Sequence, residues 1–266
     1  MRINFYKYQG AGNDFIMIDD RAKSFPVSTE FINHLCDRRF GIGADGLILL
    51  QNHPGYDFEM VYFNADGNIS SMCGNGGRCI AAFAKDLGLI KDECSFTAID
   101  GPHKAYFSNG QVSLQMKNVE KVELRPGAFV LDTGSPHYVQ FMDHIDKLDV
   151  VAQAKKIRYN DEFAAKGINV NFVEKDSQNP DHISLRTYER GVEDETFACG
   201  TGVVASAIAY YQQSANDKSH TGHHKIKVSP VGGNLEVDFD YSQTGKYTNV
   251  WLTGPAEKVF SGGIEG

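Results

Sequence analysis

Two cysteines in this 266-residue chain stand in matching settings. Cys73 lies in Met72-Cys73-Gly74-Asn75-Gly76 and Cys199 in Ala198-Cys199-Gly200-Thr201-Gly202. Each loop leads into an Ala-rich apolar run, RCIAAFAKDLG or VVASAIAYYQQ, that reads as a buried helix. A thiol at a helix N-terminus feels the positive end of the peptide dipoles, which lowers its pKa from about 8.5 toward neutrality. The backbone N–H groups of Gly74, Asn75, Gly200 and Thr201 offer a carboxylate site, and the glycines let a ligand come close. Two such loops, expected to face one another across a domain cleft, would put one sulfur on each side of the α-carbon of a small acid. One thiolate then removes the α-proton and the opposite thiol returns another to the other face. The helix ends stabilise the developing enediolate charge. Cysteine suits the task because its pKa lies near the operating pH, and the two sulfurs are expected to titrate as a coupled pair. Nothing in the sequence suggests an electron sink for the carbanion, and no cysteine pair has the spacing of a zinc site.

The elements that position these loops come from an internal repeat. At an offset of 126 residues the two cysteine loops superpose, and the same offset pairs Tyr62 with Tyr188, Asn64 with Arg190 and Gly41 with Gly167. DFEMVYFNADG and HISLRTYERG alternate apolar and polar residues and end in turn residues, so each reads as a strand. Hairpin-like segments follow each buried helix. Amphipathic helices are expected over 29–38, with Ser28 as N-cap, and over 148–157. The expected fold is α/β: two pseudo-symmetric domains, each a curved, mostly antiparallel or mixed β-sheet wrapped around a central helix. The expected domains are 1–119, joined by the tail 255–266, and 120–254, with Pro126-Gly127 marking the break in pattern.

Composition narrows the function classes. The content is 41% hydrophobic and 23% charged, with a net charge of −8 and no Lys/Arg run, which speaks against nucleic acid or an anionic membrane as partner. The N-terminus lacks the plan of a signal peptide and no apolar run is long enough for a bilayer, so a cytoplasmic location is expected. Five cysteines at irregular spacing are not a disulfide framework, and Cys36, Cys79 and Cys94 lack the glycine context and read as packing residues. His220, His223 and His224 read as a solvated loop, and GIGADG at 41–46 lacks the following helix of a nucleotide loop.

The segments QGAGNDFIMID (9–19), RRFGIGADGLILL (38–50), FNADGNISSMCGNGGRC (63–79), GSPHYV (134–139), GINVNFVE (167–174) and YERGVEDETFACGTG (188–202) closely resemble the diaminopimelate epimerase family. The resemblance runs through nearly the whole chain. It implies a homodimeric isomerase that interconverts LL- and meso-diaminopimelate without pyridoxal phosphate or metal, in lysine and peptidoglycan-precursor synthesis. By the same resemblance, Cys73 and Cys199 are the two bases. Gly74, Asn75, Gly200 and Thr201 hold the reacting carboxylate; Asn13, Asn64, Asn169 and Arg190 grip the distal amino-acid end, with Glu189 beside them. His137 and Glu189 tune the cysteine pair. The chain departs from the pattern at Ser135, where the family often has Asn, at Gly46, where some members have Gln, and at Phe260, near a Tyr of other members.

Read by themselves, the residues leave alternatives. Asn13 and Asn64 flank turns where asparagine is usually structural. Glu189-Arg190 would pass for a surface pair. A racemase or isomerase of the same fold acting on proline, hydroxyproline or histidine is the nearest rival. A Cys73–His137 hydrolase leaves the Cys199 loop unexplained, and an amino-acid-binding module would need neither sulfur.

Overall fold

The computed structural model describes residues 2–70, 72–214 and 221–265. The chain forms two compact units, Met1–Leu114 with Gly254–Gly266, and Gln115–Thr253.

In the first unit, β1 (Arg2–Gly10), β2 (Asn13–Asp19), β3 (Gly46–Gln51), β4 (Phe58–Asn64), β5 (Glu93–Ala98), β6 (Gly101–Ser108) and β7 (Gln111–Gln115) form a mixed sheet in sequence order. The C-terminal strand β17 (Glu257–Glu265) adds outside β1. The pairs β2–β3 and β4–β5 are parallel; the rest are antiparallel. A parallel pair needs a crossover. α1 (Thr29–Cys36) supplies it between β2 and β3, and α2 (Gly74–Asp86) between β4 and β5. Strand side chains alternate between faces, which gives each helix its own face. Ile16, Leu47 and Leu49 pack in the α1 cluster, while Phe15, Ile48 and Met60 lie under Gly76 of α2.

The second unit comprises β8 (Val122–Arg125), β9 (Ala128–Asp132), β10 (Pro136–Phe141), α3 (Val150–Arg158), β11 (Asn169–Lys175), β12 (His182–Glu189), β13 (Asp194–Thr196), α4 (Gly200–Ser214), β14 (Gly222–Pro230), β15 (Leu235–Tyr241) and β16 (Tyr247–Gly254). With the short β13 set aside, its sheet runs β8-β9-β10-β11-β12-β14-β15-β16, parallel at β10–β11 and β12–β14 and antiparallel elsewhere. That is the pairing pattern of the first unit, step for step, with α3 and α4 as the crossovers. α4 is buried on nearly all sides, as its unbroken apolar run requires. Pro126-Gly127 turns the β8–β9 hairpin inside this unit.

The fold is the mixed α/β duplication expected, but the single 126-residue offset needs correction. Asn171 and His137 lie under Gly202 of α4, as Ile48 and Phe15 lie under Gly76. Ile48 pairs with Tyr62, and Asn171 with Thr187. The strand equivalents are therefore Tyr62 and Thr187 (187 − 62 = 125), and Ile48 and Asn171 (171 − 48 = 123). Tyr188 packs on the other face, with α3. Asn64 thus matches Glu189, not Arg190, and the pairing of Gly41 with Gly167 lapses. A one-residue slip moves every side chain to the opposite face, so the correction changes which groups are compared.

α1 begins where expected: the Ser28 hydroxyl accepts from Phe31 N at 3.1 Å. It ends at Cys36, two residues before Arg38, because Asp37 turns extended. His223 and His224 are not in a loop. Both lie in β14, opposite Asp240 and Phe239, because the hairpin partner β15 extends the pairing to Gly222; His220 lies outside the described residues. Among the described residues no group of three or more His, Cys, Asp or Glu could hold a metal ion, and no helix is long and apolar enough to cross a membrane. Ser28→Ala should lower unfolding stability by about 1 kcal/mol without changing the denaturant m-value. A loss near zero in urea titration would mean that Ser28 does not hold the end of α1.

Candidate active site

Both cysteines sit at the start of a crossover helix. Cys73 is the N-cap of α2 in extended conformation, and its side chain does not cap the helix. The intrahelical bonds begin at Gly77 N to Cys73 O (2.8 Å) and at Val203 N to Cys199 O (2.9 Å). The first-turn amides of both helices therefore point out of the helix end, beside the sulfur. The glycine two residues after each helix start is closely packed, more tightly in α4 than in α2. A Cβ on Gly202 would lie 2.5 Å from Asn171 Oδ1, and one on Gly76 3.1 Å from Ile48 Cδ1.

In the first unit Cys73 meets a charged network. Its Sγ donates to Asn13 Oδ1 at 3.6 Å. Asn13 Nδ2 donates to Asp45 Oδ2 at 2.6 Å, and Asn75 Nδ2 donates to Asn13 Oδ1 at 3.2 Å. Arg38 clasps Asp14 with both terminal nitrogens (3.0 and 2.7 Å) and reaches Asp45 at 2.8 Å. Lys7 bonds Asp14 at 2.7 Å and donates to Gly43 O. Partial burial pushes the Asp14 carboxyl up, but hydrogen bonds from Arg38 and Lys7 outweigh it and bring it to about 2. Arg78 is fully buried in α2 and donates to Gly74 O (3.2 Å), Asn75 Oδ1 (3.0 Å) and Pro255 O (3.4 Å). Asn64 ends β4 at the surface, opposite Gly46. A Cβ on Gly46 would lie 2.5 Å from Phe63 O and 2.6 Å from the Tyr62 ring, which excludes a longer side chain in this backbone.

In the second unit the support comes from the sheet. Cys199 Sγ lies 3.4 Å from Thr201 Oγ1, and His137 Nε2 lies 2.9 Å from the same hydroxyl. Asn171 Nδ2 contacts His137 Nδ1 (3.0 Å) and donates to Tyr138 O (3.1 Å); Thr187 Oγ1 donates to Asn171 Oδ1 (3.0 Å). His137 is fully buried, and the loss of hydration drives its pKa down to about 3, with Asp132 opposing and Arg190 assisting. It is a neutral imidazole at neutral pH.

Beside this line lies a polar cluster at the β10 and β12 ends. Asn169 donates to Ser135 Oγ (2.9 Å) and Pro136 O (3.0 Å) and accepts from Arg190 N (2.8 Å). Arg190 donates to Lys166 O and Ser135 Oγ, both at 3.3 Å, and enters no ion pair among the described residues. The Ser135 hydroxyl thus accepts from both Asn169 and Arg190. Glu189 accepts from Thr196 Oγ1 at 3.0 Å. Cys36, Cys79 and Cys94 are buried packing residues, and burial pushes their thiols up to about 12. Residue typing alone passed over Asp14, Arg38, Asp45, Arg78, Asn171 and Thr187. Of these only Asn171 left a signal, since Asn169-Val170-Asn171-Phe172 alternates with period two and puts two amides on one face of a buried strand.

The family model described as diaminopimelate epimerase matches residues 5–126 and 129–259. A diaminopimelate epimerase of Flavobacterium psychrophilum is 54% identical over 97% of this chain and 98% of its own length. One of Aquifex aeolicus is 39% identical over 98% and 97%. The chain belongs to the diaminopimelate epimerase family. It is an isomerase of the epimerase type. The fold is also that of a Bacillus anthracis phenazine biosynthesis protein of the PhzF family (TM-score 0.75, 14% identity, 100% and 99% of the two chains). A probable proline racemase from Agrobacterium radiobacter K84 shares it too (TM-score 0.68, 15% identity, 99% and 93%).

In this epimerase-family chain His137 links site to stability. Its folded pKa of about 3 lies below the ordinary 6.5. Between those values the unfolded chain binds a proton that the folded chain refuses, so stability falls as pH falls from 6.5 toward 3. His137→Gln should flatten the pH dependence of unfolding in that window by up to about 1.4 kcal/mol per pH unit. Parallel curves for the two proteins would show that His137 is not held neutral.

Proposed function

We propose that this enzyme interconverts LL- and meso-diaminopimelate by proton transfer at the α-carbon between Cys73 and Cys199, with no cofactor. The observation that carries the reading is the same device built twice: a cysteine beside the open first turn of a crossover helix, Cys73 on α2 and Cys199 on α4. Inversion needs a base on one face of the α-carbon and an acid on the other, and two equivalent thiol sites meet that need without a metal. The amides of Gly74, Asn75, Gly200 and Thr201 take the reacting carboxylate and the enediolate charge that builds on it. Arg190 is the group for the distal carboxylate, since among the described residues its guanidinium makes only long bonds to neutral oxygens, and it can offer two parallel donors. Asn13, Asn64, Asn169 and Glu189 complete the grip on the distal amino-acid end, and His137 tunes the sulfur pair. The activity belongs to lysine and peptidoglycan-precursor synthesis in the cytoplasm.

Incubating reduced protein with LL-diaminopimelate in D₂O should yield the meso isomer with one α-deuterium, detected by chiral separation and mass analysis. Inversion of proline or histidine in place of diaminopimelate would move the substrate assignment. Cys73→Ala and Cys199→Ala should each abolish inversion, and turnover in either single variant would overturn the two-base scheme.

We also propose a homodimer formed through β17. This outer strand exposes Val259 and Phe260, and Phe40 and Phe260 line an apolar groove of about 660 Å³ between α1 and the C-terminal strand. Sedimentation should give twice the chain mass, with Phe260→Asp shifting it toward the monomer. A monomer at all concentrations in the unaltered protein would refute the assignment.

A further inference from the structure

The two sulfurs meet hydrogen bonds of opposite direction. Each direction is anchored by at least one group that can only donate or only accept. On the Cys73 side the chain starts at the Arg78 guanidinium, a pure donor, which bonds Asn75 Oδ1 and so turns Asn75 Nδ2 toward Asn13 Oδ1. It ends at the Asp45 carboxylate, a pure acceptor, which takes Asn13 Nδ2. Both amide orientations are thereby fixed from both ends, and the atom left facing Cys73 Sγ is the Asn13 carbonyl oxygen. A thiol satisfies that oxygen and a thiolate is repelled by it.

On the Cys199 side the anchors are Tyr138 O, which only accepts, and the Thr187 hydroxyl, which donates to Asn171 Oδ1. They make Asn171 Nδ2 the donor toward His137 Nδ1. His137, buried and neutral, then carries its single proton on Nε2 and donates it to Thr201 Oγ1. The Thr201 proton is left to point at Cys199 Sγ, 3.4 Å away. A thiolate accepts that bond.

The difference between the two sites is specific to this pair of copies. Phe15, Ile48 and Tyr62 occupy the positions of His137, Asn171 and Thr187 in the first unit. Val204 stands at the helix position of Arg78 in the second (78 + 126 = 204).

We propose that Asn171 is a positioning residue that acts through His137 and Thr201, so that Cys199 rests as the thiolate while Cys73 rests as the thiol. The proposal rests on the two-cysteine reading above and adds the starting protonation state of the pair. The first proton abstraction is then made by Cys199, with Cys73 delivering its own proton to the opposite face; the sulfurs exchange states with each turnover. The charged and titratable groups that act on these chains include Arg78 and Cys79 near Cys73, Asp45 at Asn13, and Asp132 and Arg190 around His137. Of these, the Arg78 charge pulls Cys73 toward ionisation, against the bond direction, which makes the order of titration a decisive measurement.

The experiment is an ultraviolet thiolate titration of reduced Cys73→Ser and Cys199→Ser proteins. Cys36, Cys79 and Cys94 ionise only near 12, so the neutral range reports the one remaining loop sulfur. The midpoint should be lower in Cys73→Ser, where Cys199 remains. In that background Thr201→Val and Asn171→Leu should each raise the midpoint by about one pH unit, a tenfold change in the thiolate ratio, and Thr201→Ser should restore it. A lower midpoint for Cys73, or a Cys199 midpoint unmoved by both Thr201→Val and Asn171→Leu, overturns the proposal. Alkylation of unaltered protein with iodoacetamide across pH, read as separate midpoints for the Cys73 and Cys199 peptides, gives the same order should a variant fail to fold. No substrate enters either measurement. A protein that ionises Cys199 first but does not epimerise diaminopimelate would therefore overturn the functional reading alone.

Discussion

A buried helix start must find partners for amides that the helix itself leaves unused, and in each unit this constraint organises the surroundings. α2 and α4 are crossovers between parallel strands, so their first turns are delivered to the ends of β4 and β12 by topology. Contact with the sheet is close enough that Gly76 and Gly202 cannot carry a side chain without displacing Ile48 or Asn171. The helix end is thereby held on the sheet, and the sulfur at its start acquires a fixed direction. The direction of the first-turn amides and the placement of Asn13 and Thr201 beside the sulfurs all follow from where those two helices begin.

The duplicated frame has diverged in how it satisfies its polar groups. The first unit spends charge, with Arg78 inside the helix and the Lys7–Asp14–Arg38–Asp45 network beneath Asn13. The second spends neutral dipoles, with Thr187, Asn171, His137 and Thr201 in line. Buried polar chains of this kind are favourable only when every member is satisfied. At Asn13, Asn75 and Asn171 both the amide nitrogen and the amide oxygen have a partner. Two copies of one frame thus acquire unequal electrostatics.

The repeated cysteine loop, the strands before it and the Ser28 cap were legible in the sequence, because each depends on residues adjacent in the chain. The equivalence of the two copies was legible only in outline. A one-residue slip near the turn before Cys199 leaves the sequence alignment intact while exchanging the sheet faces, so Tyr188 was matched where Thr187 belongs. Arg78 was hidden because a lone arginine in a helix is ordinarily solvated, and only the packed fold shows it fully enclosed. Asp45 and Arg38 were hidden for the opposite reason: they are surface residues whose role arises from Asp14 and Asn13, far away in sequence.

The final strand carries a consequence for biosynthesis. β17 completes the sheet of the first unit by pairing with β1, so residues 2–10 wait for residues 257–265. The second unit is one contiguous stretch, Gln115–Thr253. On the ribosome, where domains form as their chain emerges, the order of completion is therefore inverted: the contiguous half can close before residues 257–265 have emerged, and the half that holds β1 is sealed only after them.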